Sequence, residues 1–297
     1  MSWKLCQGVK QIWYYRKSII LGLIFVATIP IFACVYYMLP EKSWSYVGEI
    51  RTYLDAMYYS AITITTLGFG DITPNNGLAR SITMIEVITG VVVVGSFLNA
   101  VATEKANQIS RQKALQTLQR LLPLSIPQIQ LYLYSCFEMM TPIDERNTIV
   151  LNDIYDYEFD LKFNRMYDLN DTSLFMTTPI NQSVVERFFQ NELRLYDELK
   201  YLASNVELSY WKELQEVIDD FLREVSNFPY RDVIITYSHN NDIVNLVKKI
   251  IRESGENIGE FECSNIVNPY KSLFCHIEVM ISYTQKIVKS IKMTNGL

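Results

Sequence analysis

Seven consecutive residues, Thr65, Thr66, Leu67, Gly68, Phe69, Gly70 and Asp71, hold the chemistry most readily read from this chain. Glycine alternates with bulky side chains here, so the backbone beyond Thr65 cannot be helical. Glycine's tolerance of positive φ lets successive carbonyls share one direction. A row of peptide carbonyls is a set of hard oxygen ligands. Aimed at a common axis by several copies of the loop, such a row could replace the water shell of a cation.

The flanking segments are those that such a loop requires. Residues 18–39 contain no charged side chain, and residues 81–103 contain one, Glu86. As helices, 19–39 and 81–103 extend roughly 31 and 34 Å, about the hydrocarbon thickness of a bilayer. The apolar run from Tyr53 to Ile64 reaches only about 18 Å, too short to cross. Thr52 and Asp55 form a T-x-x-D capping box at its start, and Thr63 and Thr65 stand at its end. A short helix that dips into the membrane and returns fits that length. Irregular backbone at this depth survives only against protein or a watery cavity, because lipid cannot satisfy its polar groups. The short helix would point its C-terminus at that cavity, where the helix dipole favours a cation.

Thr66 to Asp71 resembles the selectivity filter of potassium channels, whose usual form is Thr-Val-Gly-Tyr-Gly-Asp. The likeness extends to the aromatic pair in Tyr58-Tyr59-Ser60, to Pro74 and Arg80 after the loop, and to Gly90 at the usual position of an inner-helix hinge. Over about residues 18–105 the chain is similar to bacterial two-transmembrane potassium channels with one pore loop per subunit. That resemblance implies a homotetramer in the cell membrane. Potassium would be its permeant ion, held by the carbonyls of Thr66, Leu67, Gly68 and Phe69, with the Thr66 hydroxyl closing the inner end; no cofactor is implied. With Gly90 as a hinge, Val91, Val94, Leu98 and Ala102 would line the cavity; Gly90 and Gly95 equally suit close helix packing. Three departures stand out. Leu67 replaces the usual Val, and Phe69 lacks the hydroxyl that hydrogen-bonds behind the filter in relatives. Ile62 stands where some relatives place a carboxylate, so Asp71 must find another partner or remain solvated.

Charge and composition set the frame. The chain has 297 residues, 49% of them hydrophobic and 20% charged, with a net charge of −5. That balance suits one small membrane domain joined to one soluble domain, and no basic stripe suits nucleic acid. Lys4, Lys10, Arg16 and Lys17 precede the first span; Lys105, Arg111, Lys113 and Arg120 follow the second, so both termini are expected in the cytoplasm. Trp44 and Tyr46 suit the outer interface. Cys6, Cys34, Cys136, Cys263 and Cys275 form no C-x-x-C pair and are expected to be free thiols. Glu86, costly inside a membrane helix, is expected to hydrogen-bond to the back of the pore helix through a Thr or Tyr hydroxyl, with gating or proton sensing as the alternative role.

The expected architecture is an α-helical membrane protein, two transmembrane helices with a re-entrant pore helix and filter, bearing a mainly helical α+β cytosolic domain. Its divisions are an interfacial segment (1–17), a pore domain (18–103), a helical linker ended by Pro123 and Pro127 (104–127), and a soluble domain (128–297). In the last, Tyr155, Tyr157, Phe159, Leu161 and Phe163 alternate with polar residues and predict a strand, and residues 233–237 predict another. Capping boxes at Ser183-x-x-Glu186 and Ser204-x-x-Glu207 predict helices over 184–203 and 205–226. A helix over 241–253 closed by Gly255 and a last one opened by Asn268-Pro269 complete it. No phosphate-binding glycine motif is present, and Asp153, Asp156, Glu158 and Asp160 lack EF-hand spacing. His239 and Cys275-His276 are a weak hint of metal, and Phe188, Phe189, Tyr196 and Trp211 read as helix core. The functional expectation is a potassium-selective channel gated by an unidentified cytosolic ligand or partner. The alternative is a two-span sensor or scaffold whose pore-like loop does not conduct.

Overall fold

The computed structural model describes residues 2–45, 50–146, 149, 153–173, 182–254 and 266–295. Tyr46, Gly255 and Cys263 lie outside them, as do the side chains of residues 2–17. The chain divides into two compact units, Met1–Ser110 and Arg111–Leu297.

The first unit contains α1 (Ser2–Tyr37), α2 (Tyr53–Ile64) and the beginning of α3 (Gly77–Met140). Ser18–Tyr37 and α3 are both long and apolar enough to cross a membrane. Ile19, Leu23, Val26 and Ile31 on α1, and Ile88, Val91 and Leu98 on α3, are exposed in the single chain. Such a surface needs lipid or protein to cover it. α2 begins with the expected capping box: Thr52 Oγ1 accepts from Asp55 N at 3.2 Å, and Asp55 Oδ2 accepts from Thr52 N at 2.8 Å. Aromatic rings bind the outer ends together. Tyr36 meets Tyr59 edge-on with centroids 4.9 Å apart, and Trp44 meets Tyr59 at 5.1 Å.

The second unit is built from the remainder of α3 with α4 (Ile143–Arg146), α5 (Val184–Asn205), α6 (Lys212–Asn227), α7 (Arg231–Ser238), α8 (Asn241–Glu253) and α9 (Asn268–Asn295). Tyr132 and Phe137 of α3 share one core with Phe188 of α5, Phe221 of α6 and Tyr270 of α9. Within that core the Glu192 carboxylate is a polar centre. It accepts from Arg231 Nη2 at 2.9 Å and from the Tyr132 hydroxyl at 3.3 Å, and lies 2.7 Å from His276 Nε2.

Four expectations are corrected here. Among the described residues there is no strand, so this unit is helical rather than α+β. Residues 157–162 run between two 3-10 turns without regular secondary structure, with Tyr157, Phe159 and Leu161 packed against the core. The alternation is therefore real, but Gln285 Nε2 of α9 donates to Tyr157 O where a ladder partner would stand. Residues 233–237 lie in α7, whose buried Ile234 anchors one face; tertiary packing overrides β-branched propensity. The second capping box does not form, since α5 runs on to Asn205 and the Ser204 hydroxyl donates back to Lys200 O. Finally, α3 continues through Pro123 and Pro127 to Met140. Each proline removes one backbone bond, but Leu121, Leu122 and Ile129 beside them are buried, and that packing holds the helix together.

Candidate functional site

The loop after α2 is set by its backbone. Thr66, Gly68 and Gly70 have φ of 59°, 51° and 79°, so every second residue is left-handed. Thr66 is the informative member, since a β-branched side chain rarely adopts this conformation. The amides turn back towards the helix that precedes them. Thr66 N donates to Thr63 O at 3.0 Å, Leu67 N to Ile62 O at 2.8 Å, and Gly68 N to Ile62 O at 3.2 Å. The C-terminal carbonyls of α2, which have no intrahelical partner, thus receive donors from the loop. Among the described residues, the carbonyls of Thr66, Leu67, Gly68 and Phe69 accept no hydrogen bond. The loop itself is open in the single chain, with Leu67 61% and Phe69 66% exposed.

The outer end is fastened by side chains. The Tyr58 hydroxyl of α2 donates to Asp71 Oδ2 at 2.7 Å. Asp71 therefore has the partner that Ile62 does not supply. From the sequence, Tyr58 reads only as one of an aromatic pair; its hydroxyl, thirteen positions before a carboxylate, is the available signal. Beyond Asp71, Ser45 N donates to Thr73 O at 3.0 Å, Asn75 N to Ser43 O at 2.7 Å, and Arg80 Nε to Pro74 O at 3.2 Å.

Behind the loop, Glu86 of α3 is fully buried. Its Oε2 accepts from the Tyr36 hydroxyl of α1 at 2.5 Å, and its Oε1 accepts a short hydrogen bond from the Ser60 hydroxyl of α2. The expected contact with the back of the pore helix is present, through a serine. Tyr36, fifty residues away, carried no local signal. One turn below, Gly90 lies against Ile64: a Cβ on Gly90 would stand 2.6 Å from Ile64 Cγ1 and 3.0 Å from Ile64 O. Val91, Leu98 and Ala102 are exposed and Val94 is half-buried.

Comparison with known proteins gives a likeness in sequence over the same segment. Residues 20–104 match the family model for ion channels. These residues form an ion-channel domain. The domain is similar to two pore potassium channel b of Oryza sativa subsp. japonica, 33% identical over 85 residues, 28% of this chain and 23% of the rice protein. It is also similar to probable potassium channel protein 2 of Methanocaldococcus jannaschii, 42% identical over 50 residues, 17% of this chain and 15% of that protein. Calcium-gated potassium channel TvoK of Thermoplasma volcanium is 33% identical over 49 residues, 16% of this chain and 14% of the relative. The matched stretch thus spans less than a quarter of each of these three. No solved structure matches the chain significantly. The channel domain, not an enzyme, is what the likeness covers.

In the second unit, the residues singled out from sequence do not assemble into a site. Asp156 pairs with Lys292 at 3.3 Å, His239 lies 3.3 Å from Glu186, and His276 is buried between Glu192 and Glu224. Phe188, Phe189 and Trp211 are buried and Tyr196 half-buried in the core. Among the described residues, no cluster of three or more His, Cys, Asp or Glu is arranged to hold a metal ion.

Proposed function

We propose that four copies of this chain form a potassium-selective channel in the cell membrane, with Thr66 to Asp71 as its selectivity filter. The observation that carries this reading is the left-handed alternation at Thr66, Gly68 and Gly70, with the amides turned back onto Ile62 and Thr63. The carbonyls of Thr66, Leu67, Gly68 and Phe69 are left without donors, which suits dehydrated potassium ions on an axis shared with other copies. One chain supplies one wall of such a pore, so the homotetramer follows from the mechanism. The names of the relatives support potassium as the ion. Val91, Val94, Leu98 and Ala102 line the cavity, both termini lie in the cytoplasm, and the unit Arg111–Leu297 delivers a gating signal to the portion of α3 that precedes Arg111.

Purified protein in liposomes should take up Rb⁺ far faster than Na⁺, with block by Ba²⁺. Gly68→Ala should abolish uptake while tetramers persist, because its φ of 51° strains any L side chain even where space is open. Equal Na⁺ uptake by the wild type would refute potassium selectivity. No uptake at all would favour the two-span sensor or scaffold.

A further inference from the structure

Glu86 is the one charged side chain in residues 81–103, and it is fully buried. A carboxylate withdrawn from water is costly unless its oxygens are satisfied. Here each oxygen has its own hydroxyl donor, and the donors come from different helices: Tyr36 from α1 and Ser60 from α2. Both donors are fully buried as well. Hydrogen bonds in a water-poor setting are stronger than in water, and a buried polar group that loses its partner there is correspondingly costly.

The register gives this contact its meaning. Ser60 and Ile64 are four residues apart on α2, one turn along the same face. Glu86 and Gly90 are likewise four apart on α3. Glu86 meets Ser60, and Gly90 meets Ile64. Two consecutive turns of α3 therefore seat two consecutive turns of α2, by a hydrogen bond above and by direct backbone contact below. Ile62 and Thr63, whose carbonyls receive the loop amides, lie between those two contacts. A shift of α2 along or about its axis would displace the acceptors that orient the loop.

We infer that Glu86 is a positioning residue for ion selection, holding α2 in register with α3 through Ser60 and with α1 through Tyr36 so that the loop carbonyls stay aligned. This rests on the channel reading above. Glu86 touches no ion; it acts through α2. The same geometry makes Gly90 a seat for Ile64.

The test is selectivity measured on intact assemblies. Wild type, Ser60→Ala, Glu86→Ala, the double variant and Glu86→Asp are reconstituted in liposomes after tetramers have been isolated, and Rb⁺ and Na⁺ uptake are compared at equal protein. Ser60→Ala and Glu86→Ala should each reduce the Rb⁺:Na⁺ ratio, Glu86→Ala by about tenfold, on the scale of one buried hydrogen bond. The double variant should be no worse than Glu86→Ala, since both remove one contact. Glu86→Asp should restore part of the ratio. A purely structural role would lower tetramer yield and leave the ratio of the surviving tetramers unchanged, and that result would overturn the proposal. If Glu86→Ala yields no tetramers, Ser60→Ala decides in the same way. A selective wild type with unaltered variants refutes the Glu86 role alone. A wild type that passes neither ion refutes the channel reading and this role with it.

Discussion

The Tyr58 hydroxyl donates to Asp71 Oδ2 across 2.7 Å, tying the middle of α2 to the outer end of the loop. The bond closes a ring of chain: α2 runs down, the loop returns, and Tyr58 joins the two. The lower end of that ring is held by loop amides on Ile62 and Thr63 carbonyls. Tyr58→Phe removes only the upper tie. Both partners are exposed in the single chain, so folding and assembly should be little affected. On the channel reading, the variant in planar bilayers should instead close sooner than the wild type during steady opening, with dwell times shortened by a few-fold at most. Unchanged open times would show that Asp71 is held by another group.

Gly90 and Gly95 make opposite predictions although both are helical glycines. Alanine at position 95 meets nothing within 4 Å, so Gly95→Ala should be neutral or stabilising by up to about 1 kcal/mol through helix propensity. Alanine at position 90 would collide with Ile64, including its backbone oxygen. Gly90→Ala should therefore cost about 1–3 kcal/mol, the usual range for overpacking. Thermal unfolding of the detergent-solubilised protein compares the two directly. If Gly90 serves only as a flexible hinge, the two substitutions should have the same sign.

The pore segment was legible in the sequence because its constraints are local or set by the lipid. Two stretches of spanning length, one without charge and one with Glu86 alone, a T-x-x-D cap at Thr52 and alternating glycines each encode one structural fact within a few residues. What escaped was long-range: Tyr36 reaching Glu86, and Tyr58 reaching Asp71. The second unit was read less well for a related reason. Residues 155–163 alternate like a strand, yet whether such a run joins a sheet depends on a partner elsewhere in the chain, and α9 fills that place. Ser204 satisfied a capping pattern that α5 simply ran through.

Pro123 and Pro127 offer a test of how α3 survives its own sequence. Both are exposed, while Leu121, Leu122 and Ile129 beside them are buried. The prolines thus weaken the helix without contributing to the core. Replacing either by alanine should restore a backbone bond and raise stability by about 1–3 kcal/mol, read as a higher unfolding temperature. A lower temperature for either variant would mean that the proline ring fixes a bend on which the core depends.

Asp168 predicts a pH dependence in the second unit. Its Oδ2 accepts from Ile143 N at 2.7 Å and lies 3.0 Å from Arg146 Nη2, while among the described residues Oδ1 has no partner. Burial outweighs the pull of the Arg146 guanidinium, and the carboxyl is pushed up to about 6. Because the folded-state value lies above the ordinary one, the folded chain binds this proton more tightly than the unfolded chain. The associated stability is full below about pH 4 and is lost as the pH rises to and through about 6. Across that window the loss should be roughly 2–3 kcal/mol. Asp168→Asn should flatten the dependence and lower stability most near pH 7, where Arg146 loses its anion. Unfolding temperatures of both proteins at pH 4, 5, 6 and 7 give the comparison. Parallel curves would show that Asp168 remains ionised across the whole range, with Arg146 as the dominant influence.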